Sequence, residues 1–424
     1  MIYKGKEVTP GLERIWRLME LTGHPEDEVR MIHIAGTNGK GSVGSFIVSI
    51  LREAGYRVGH FHTPALFSTR EEICIDGEAI PEAVLRKYEK KIGNISKDSS
   101  FQKTGTPSPF EIETATAFMY FRDRKCDYAV IECGMGGRLD ATNVIRHPAV
   151  SVLASISLDH MDYLGSSVTE IAHEKCGILK SGSPAAAIAE DEEVCSVIRE
   201  EAQNKKCSIS FVHTNMLHLI RADIEYGQYF NFGNLENLHI QSAASYQLRN
   251  AALAVKAALL LGDHAPDEEC IRRGLSKMRW PARFEAVSIN PLILYDGAHN
   301  PAAAQRLKDS ILSVIPDRPI ILIMGVLADK DYSGMLHILS AINARLITFA
   351  PDSPRALPAS ALAKAAEGLF EQIFPADTLE QAWDKYLRWK QEMPENTALI
   401  QCGTLSAYAS FCRQFEKFQN KNGE

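Results

Sequence analysis

The sequence lacks the run of about 20 apolar residues that a membrane-spanning helix needs. Its nearest candidates, Ala149–Ile156 and Ala251–Leu261, are brief or interrupted by Lys256. The opening residues, MIYKGKEVTP, have no apolar stretch of the kind a secretory leader carries. Nine cysteines are scattered over 424 residues without a CxxC pair, so they read as reduced thiols and not as a zinc site or a disulfide framework. Positive charge is not in excess either. The 46 basic and 53 acidic side chains leave a net charge of -7, which argues against broad electrostatic capture of nucleic acid. Internal repeats and low-complexity tracts are missing too. These absences lead us to expect a cytoplasmic protein with neither a membrane nor a nucleic-acid partner.

What is present is an ordinary globular mixture, 45% hydrophobic and 23% charged, long enough for two large domains or three small ones. Short apolar runs alternate with helical periodicity. Val29–Ala35 ends in glycines, and Val43, Phe46, Ile47, Ile50 and Leu51 then recur at helical spacing up to Gly55. Tyr56–Phe61, Tyr128–Ile131 and Val150–Ile156 read as further strands; Phe110–Phe121, Thr169–Leu179 and Tyr246–Leu261 read as helices. Ser210–Gln241 suggests a small antiparallel excursion, and the polar stretch Asn94–Pro109 a mobile loop. From Leu292 a second alternation begins, with strands at Leu292–Tyr295, Ile320–Met324, Leu346–Phe349 and Ala398–Gln401. The predicted fold class is α/β: a P-loop ATPase domain (1–282) with a mostly parallel sheet, then a smaller Rossmann-like domain (283–424).

Gly36-Thr37-Asn38-Gly39-Lys40-Gly41-Ser42 lies between the first strand and its helix. Phosphate binding calls for inward backbone N–H groups, glycines that permit close approach, a helix N-terminus and a lysine charge, and this segment implies all four. It departs from GxxxxGK[ST], because Ile34 occupies the first glycine position and Gly41 separates Lys40 from Ser42. The loop therefore indicates a nucleotide without naming a reaction.

The spelling GTNGKGS resembles the loop of the folylpolyglutamate synthase/dihydrofolate synthase family, within the Mur ligase superfamily. Further stretches resemble that family in order: FEIETATAF (Phe110–Phe118), IECGMGGRLDATN (Ile131–Asn143), SLDHMDYLG (Ser157–Gly165) and IAHEKCGILK (Ile171–Lys180). RWPARFE (Arg279–Glu285), DGAHNP (Asp296–Pro301) and GVLADKD (Gly325–Asp331) follow. The resemblance implies an ATP-dependent amide ligase that adds L-glutamate to a folate or dihydropteroate through an acyl phosphate. It implies ATP and two Mg²⁺ ions, is compatible with a monovalent-cation activator, and makes a monomer the default.

Carried over residue by residue, the resemblance assigns Lys40, Lys175 and His160 to catalysis, with Lys175 carbamylated by CO₂. It assigns Ser42, Thr63, Glu132 and His160 to metal. ATP falls to Asn38, Gly39, Lys40, Gly41, Ser42, Asn250, Arg283, Asp296 and His299, so that closure of two domains would complete the site. The pterin-bearing substrate falls to Phe110, Glu111, Leu139, Asp140 and Ala141, although Phe110 and Leu139 read equally well as core residues. Two departures stand out. Thr63-Pro64-Ala65-Leu66 replaces the usual Ser-Pro-His-Leu, and Glu71-Glu72-Ile73 replaces Glu-Arg-Ile. A P-loop kinase or NTPase, another Mur-type ligase and a non-catalytic nucleotide-binding module are the competing readings.

Overall fold

The computed structural model describes residues 11–422 together with the strand pair Ile2–Tyr3 and Lys6–Glu7. Contacts divide the chain into two units. The first comprises Met1–His218, Phe230–His239 and Arg249–Met278; the second comprises Leu219–Tyr229, Ile240–Leu248 and Arg279–Glu424. The division is therefore not a single cut, since two earlier segments group with the C-terminal part.

The first unit is built on an eight-stranded sheet in the order Ser208–His213, Pro184–Ala189, Val150–Leu153, Arg30–Ala35, Tyr128–Glu132, Val58–Phe61, Ile73–Ile75, Glu78–Ala79. The first six run parallel; Ile73–Ile75 pairs antiparallel with Val58–Phe61, and Glu78–Ala79 pairs antiparallel with Ile73–Ile75. Strands buried on both faces read as continuous apolar runs, and Arg30–Ala35 is buried at every position after its first. The helix Lys40–Glu53 follows it, burying Val43, Phe46, Ile47, Ile50 and Leu51 as the spacing predicted.

Two sequence expectations need correction. Asn94–Pro109 is not an open loop: the helix Glu82–Ile95 extends into it and a short helix occupies Phe101–Thr104. Ile92 and Phe101 are buried in the core beside Phe118, and that packing outweighs the polar composition between them. The antiparallel excursion is also shorter than expected. Ser208–His213 joins the large sheet in parallel with Pro184–Ala189, and the three-stranded sheet comprises Leu217–Asp223, Gly227–Phe232 and Leu235–Ile240.

The second unit carries a six-stranded sheet in the order Glu285–Ile289, Leu292–Tyr295, Ala398–Cys402, Ile320–Met324, Ala344–Phe349, Ile373–Ala376. Only the first pair is antiparallel. Leu294, Leu322, Leu346 and Ile400 pack on one face against Leu307, Ile311 and Leu336. No helix among the described residues is long and apolar enough to cross a membrane.

Candidate active site

In an open parallel sheet, ligands gather beyond the carboxyl ends of the strands. In the first unit that edge holds the loops after Arg30–Ala35, its two neighbours Tyr128–Glu132 and Val150–Leu153, and Val58–Phe61. Lys40 and Ser42, Glu132, His160 and Thr63 therefore share one edge, with Glu132 and His160 following the strands that flank the phosphate loop.

Gly39 caps the Lys40 helix with φ at 91°, a left-handed conformation that disfavours any side chain. A Cβ there would also lie 2.6 Å from Asn250 Oδ1, so Asn250 is placed directly against the loop. The loop is tied to the next strand's exit. The Thr37 amide donates to the Ser155 carbonyl at 2.7 Å, and the Thr37 hydroxyl donates to the Ser157 carbonyl at 2.9 Å. The same segment continues into Asp159 and His160. His160 is exposed, in left-handed backbone, at the start of the short helix Met161–Leu164.

Glu132 ends its strand buried, and Lys40 Nζ lies 3.6 Å from its Oε1. Ser42 is buried in the first turn of the helix, whereas Thr63 is half-buried on the loop after Val58–Phe61. That loop is fixed by the two glutamates of the second departure. Glu71 accepts the amides of Leu66, Phe67 and Ser68, and Glu72 accepts that of Ala65 at 3.3 Å. Glu72 thus serves as a backbone acceptor, a task an arginine could not perform.

Lys175 is the last residue of the helix Val168–Lys175 and only 3% exposed. Its ammonium donates to the Gly36 carbonyl, 2.9 Å away at the start of the phosphate loop. Burial, then the charge of Lys40, pushes its pKa down to about 7 against the opposing pull of Cys133, Asp159 and Asp140. A substantial neutral-amine fraction is therefore present near physiological pH.

The residues assigned to substrate divide by environment. Glu111 is the N3 residue of a capping box with Ser108 and pairs with Arg14 at 3.0 Å, so it anchors its helix. Phe110 is buried and stacks on Phe61 with centroids 5.8 Å apart. Asp140 and Ala141 are buried, and the Asp140 carboxylate accepts the Met135 and Thr142 amides and the Thr142 hydroxyl. Leu139 is 40% exposed. Phe67 and Leu158 on loops of the same edge, and Met161 and Tyr163 on the short helix Met161–Leu164, are also exposed large apolar residues.

In the second unit Asp296 is buried at the end of Leu292–Tyr295. It accepts the Tyr246 hydroxyl at 2.6 Å and the Phe284 and Ala298 amides at 2.8 Å each. Burial raises its pKa against those hydrogen bonds and the Arg283 charge. Arg283 Nη1 donates to the Ala282 carbonyl, and His299 Nδ1 donates to that of Gly297. Asn300 then caps the helix Pro301–Val314. Sequence reasoning missed Tyr246, Glu71, His33 and Thr142. Only His33 carried a signal: an imidazole inside an otherwise apolar strand must find a buried partner.

A glycine-rich loop at the centre of a parallel sheet, continued by a second α/β unit, is the arrangement of the Mur ligases. Residues 34–258 match the Mur ligase middle domain and residues 282–403 the Mur ligase, glutamate ligase domain. Within that superfamily the chain belongs to the folylpolyglutamate synthase/dihydrofolate synthase family. It is 37% identical over 374 residues to the Bacillus subtilis dihydrofolate synthase/folylpolyglutamate synthase, covering 85% of each chain. The Mycobacterium tuberculosis folylpolyglutamate synthase complexed with ADP and AMPPCP superposes with a TM-score of 0.89 at 31% identity, covering 96% of this chain and 95% of that one. An Escherichia coli relative in complex with DHPP and ADP gives 0.84 at 28% identity, covering 98% and 95%.

Proposed function

We infer that the protein is an ATP-dependent acid–amino-acid ligase that joins L-glutamate to a folate, a dihydropteroate or both, releasing ADP and phosphate. The observation that carries this reading is one sheet edge holding the phosphate loop, the Lys40–Glu132 pair at 3.6 Å and the buried Lys175 amine on the Gly36 carbonyl. The exposed apolar side chains on neighbouring loops support a flat, largely apolar acid as the substrate.

A carboxylate oxygen of the acid attacks the γ-phosphorus of ATP, and the bond to the β,γ-bridging oxygen breaks to release ADP. The glutamate amine then attacks the acyl carbon of the resulting acyl phosphate, loses a proton and expels phosphate. Lys40 and the loop amides neutralise charge on the phosphoryl group in transfer. Asn250, against Gly39, borders the nucleotide side of the loop, with Asn38 and Gly41 in the same turn. In the second unit Arg283 and His299 are assigned to nucleotide, and Asp296 holds the turn that carries them.

Mg²⁺ fits the donor set. Glu132 is a buried carboxylate that already draws a cation to itself, and Ser42, Thr63 and His160 add two hydroxyls and an imidazole at the same edge. When bound, Mg²⁺ supplies charge neutralisation for phosphoryl transfer. The Lys175 amine is assigned to add to CO₂, forming an N–C bond and releasing one proton. The product is an anion where an ammonium would repel metal, and the depressed pKa supplies the neutral amine that this addition requires.

The test is purified protein with MgATP, L-glutamate and either tetrahydrofolate or dihydropteroate, followed by ADP release and product mass. ADP release that needs glutamate together with an acid acceptor supports the ligase, and the productive acceptor defines the substrate. ADP release indifferent to both would leave an NTPase in its place.

A further inference from the structure

The loop Gly134–Leu139 links three parts of this edge. It leaves the strand ending at Glu132, and it carries the exposed Leu139. It also seats on the end of the Lys175 helix: the Arg138 amide donates to the Glu174 carbonyl at 2.8 Å, and the Arg138 guanidinium pairs with the Glu174 carboxylate. The fit leaves no slack. A Cβ at Gly137 would lie 2.8 Å from the Lys175 carbonyl oxygen, and one at Gly134 would lie 2.7 Å from the Phe110 ring.

Beneath the loop runs a buried polar chain. Asp140 Oδ2 accepts the Met135 amide at 2.9 Å, while Oδ1 accepts the Thr142 amide at 2.9 Å and the Thr142 hydroxyl at 2.6 Å, pinning both ends of the loop. The Thr142 hydroxyl also lies 3.3 Å from Cys133 Sγ, but with its proton on the shorter bond to the carboxylate it accepts from His33 Nε2, which is 2.8 Å away and itself 3.1 Å from Cys133 Sγ. His33 is fully buried and its Nδ1 has no hydrogen-bond partner. That agrees with the Nε2–H tautomer, which leaves an unmet acceptor at Nδ1 and not an unmet N–H. The chain is thus directional, from His33 Nε2–H to the Thr142 hydroxyl to Asp140. His33 belongs to the strand that leads into the phosphate loop.

We propose that His33 and Thr142 are positioning residues, which through Asp140 set the Gly134–Leu139 loop against the Lys175 helix end and so fix Lys175 for turnover. The functional part of this proposal rests on the ligase reading; the structural part does not.

Thr142→Val and His33→Leu break the chain, whereas Thr142→Ser and His33→Gln keep a hydroxyl and an N–H donor. The breaking variants are expected to lower kcat about tenfold or more per folded molecule while KM for ATP stays within about twofold, and Thr142→Ser and His33→Gln to restore most of it. Amide exchange at Met135, followed in the full-length protein without substrates, should accelerate in Thr142→Val and return in Thr142→Ser. Thr142→Val with unchanged kcat per folded molecule and unchanged Met135 exchange would overturn the proposal. So would equal losses in the Ser and Val variants. Should Thr142→Val fail to fold, the His33→Leu and His33→Gln pair decides. A wild-type protein without ligase activity would instead remove the ligase reading, leaving the exchange experiment to judge the loop.

Discussion

The phosphate-loop edge of the first unit and the Asp296 turn of the second treat their buried charges in opposite ways. In the second, Asp296 sits among one hydroxyl and two amide donors, a closed arrangement that leaves its carboxylate fully engaged. In the first, Lys175 is buried with a backbone carbonyl as its hydrogen-bond acceptor and another ammonium nearby. A satisfied buried charge organises structure; an under-compensated one is held at a cost in stability and is available for chemistry. The contrast assigns scaffolding to the Asp296 turn and reactivity to the phosphate-loop edge.

The largest expected effect lies at Lys175. Lys175→Ala should lower kcat about 1,000-fold, and short carboxylates should partly restore it by standing in for the carbamate. Lys175→Met should lose activity yet gain stability, on the order of 1–4 kcal/mol near pH 7 in CO₂-free buffer, because it removes a buried cation. The unfolded lysine titrates near 10.5 and the folded one near 7, so between those values the unfolded chain binds more protons and wild-type stability rises with pH. The advantage of the Met variant should therefore shrink from pH 7 to pH 10.5 in denaturant titrations. A difference that does not change with pH would remove the buried ammonium from the account.

The opposite outcome is expected at the Asp296 turn. Asp296→Asn replaces one acceptor oxygen by a donor facing other donors, and should destabilise by about 2–4 kcal/mol in chemical denaturation. A stability loss near zero would erase the distinction between this turn and the phosphate-loop edge.

Much of this contrast was legible in the sequence. The phosphate loop announced itself through glycines and a lysine between a strand and a helix, and the ordered motifs carried Glu132, His160, Lys175 and Asp296. What the motifs could not tell was which way a carboxylate faces. Glu111 and Asp140 lie in stretches that resemble substrate-binding segments, yet one caps a helix and the other pins a loop, because backbone amides only converge on them once the chain has folded. Glu72 stood out as a departure, a glutamate in place of arginine, and proves to be an acceptor for the Ala65 amide. Asn94–Pro109 read as a loop because local composition does not reveal that Ile92 and Phe101 reach a distant core.

Smaller effects sharpen the picture. Burial, with a contribution from Lys180, lowers the His33 pKa to about 3, so the unfolded chain takes up a proton between pH 6.5 and pH 3 that the folded chain refuses. Stability should fall over that window by on the order of 4 kcal/mol from this group, and His33→Gln should remove that share of the acid sensitivity in pH-dependent unfolding. Ala282 has a φ of 60°, in the left-handed region that glycine prefers. Ala282→Gly should therefore raise stability by about 0.5–1 kcal/mol with kcat unchanged, read as a shift in Tm.

The most direct measurement follows oxygen. With the acceptor's carboxylate enriched in ¹⁸O, a full turnover in unlabelled water with MgATP and L-glutamate should leave one labelled oxygen in the released phosphate, because the carboxylate oxygen that attacked phosphorus departs with it. Phosphate carrying no label beside normal amide product would mean that the acid is never phosphorylated, and the mechanism assigned to this site would be wrong.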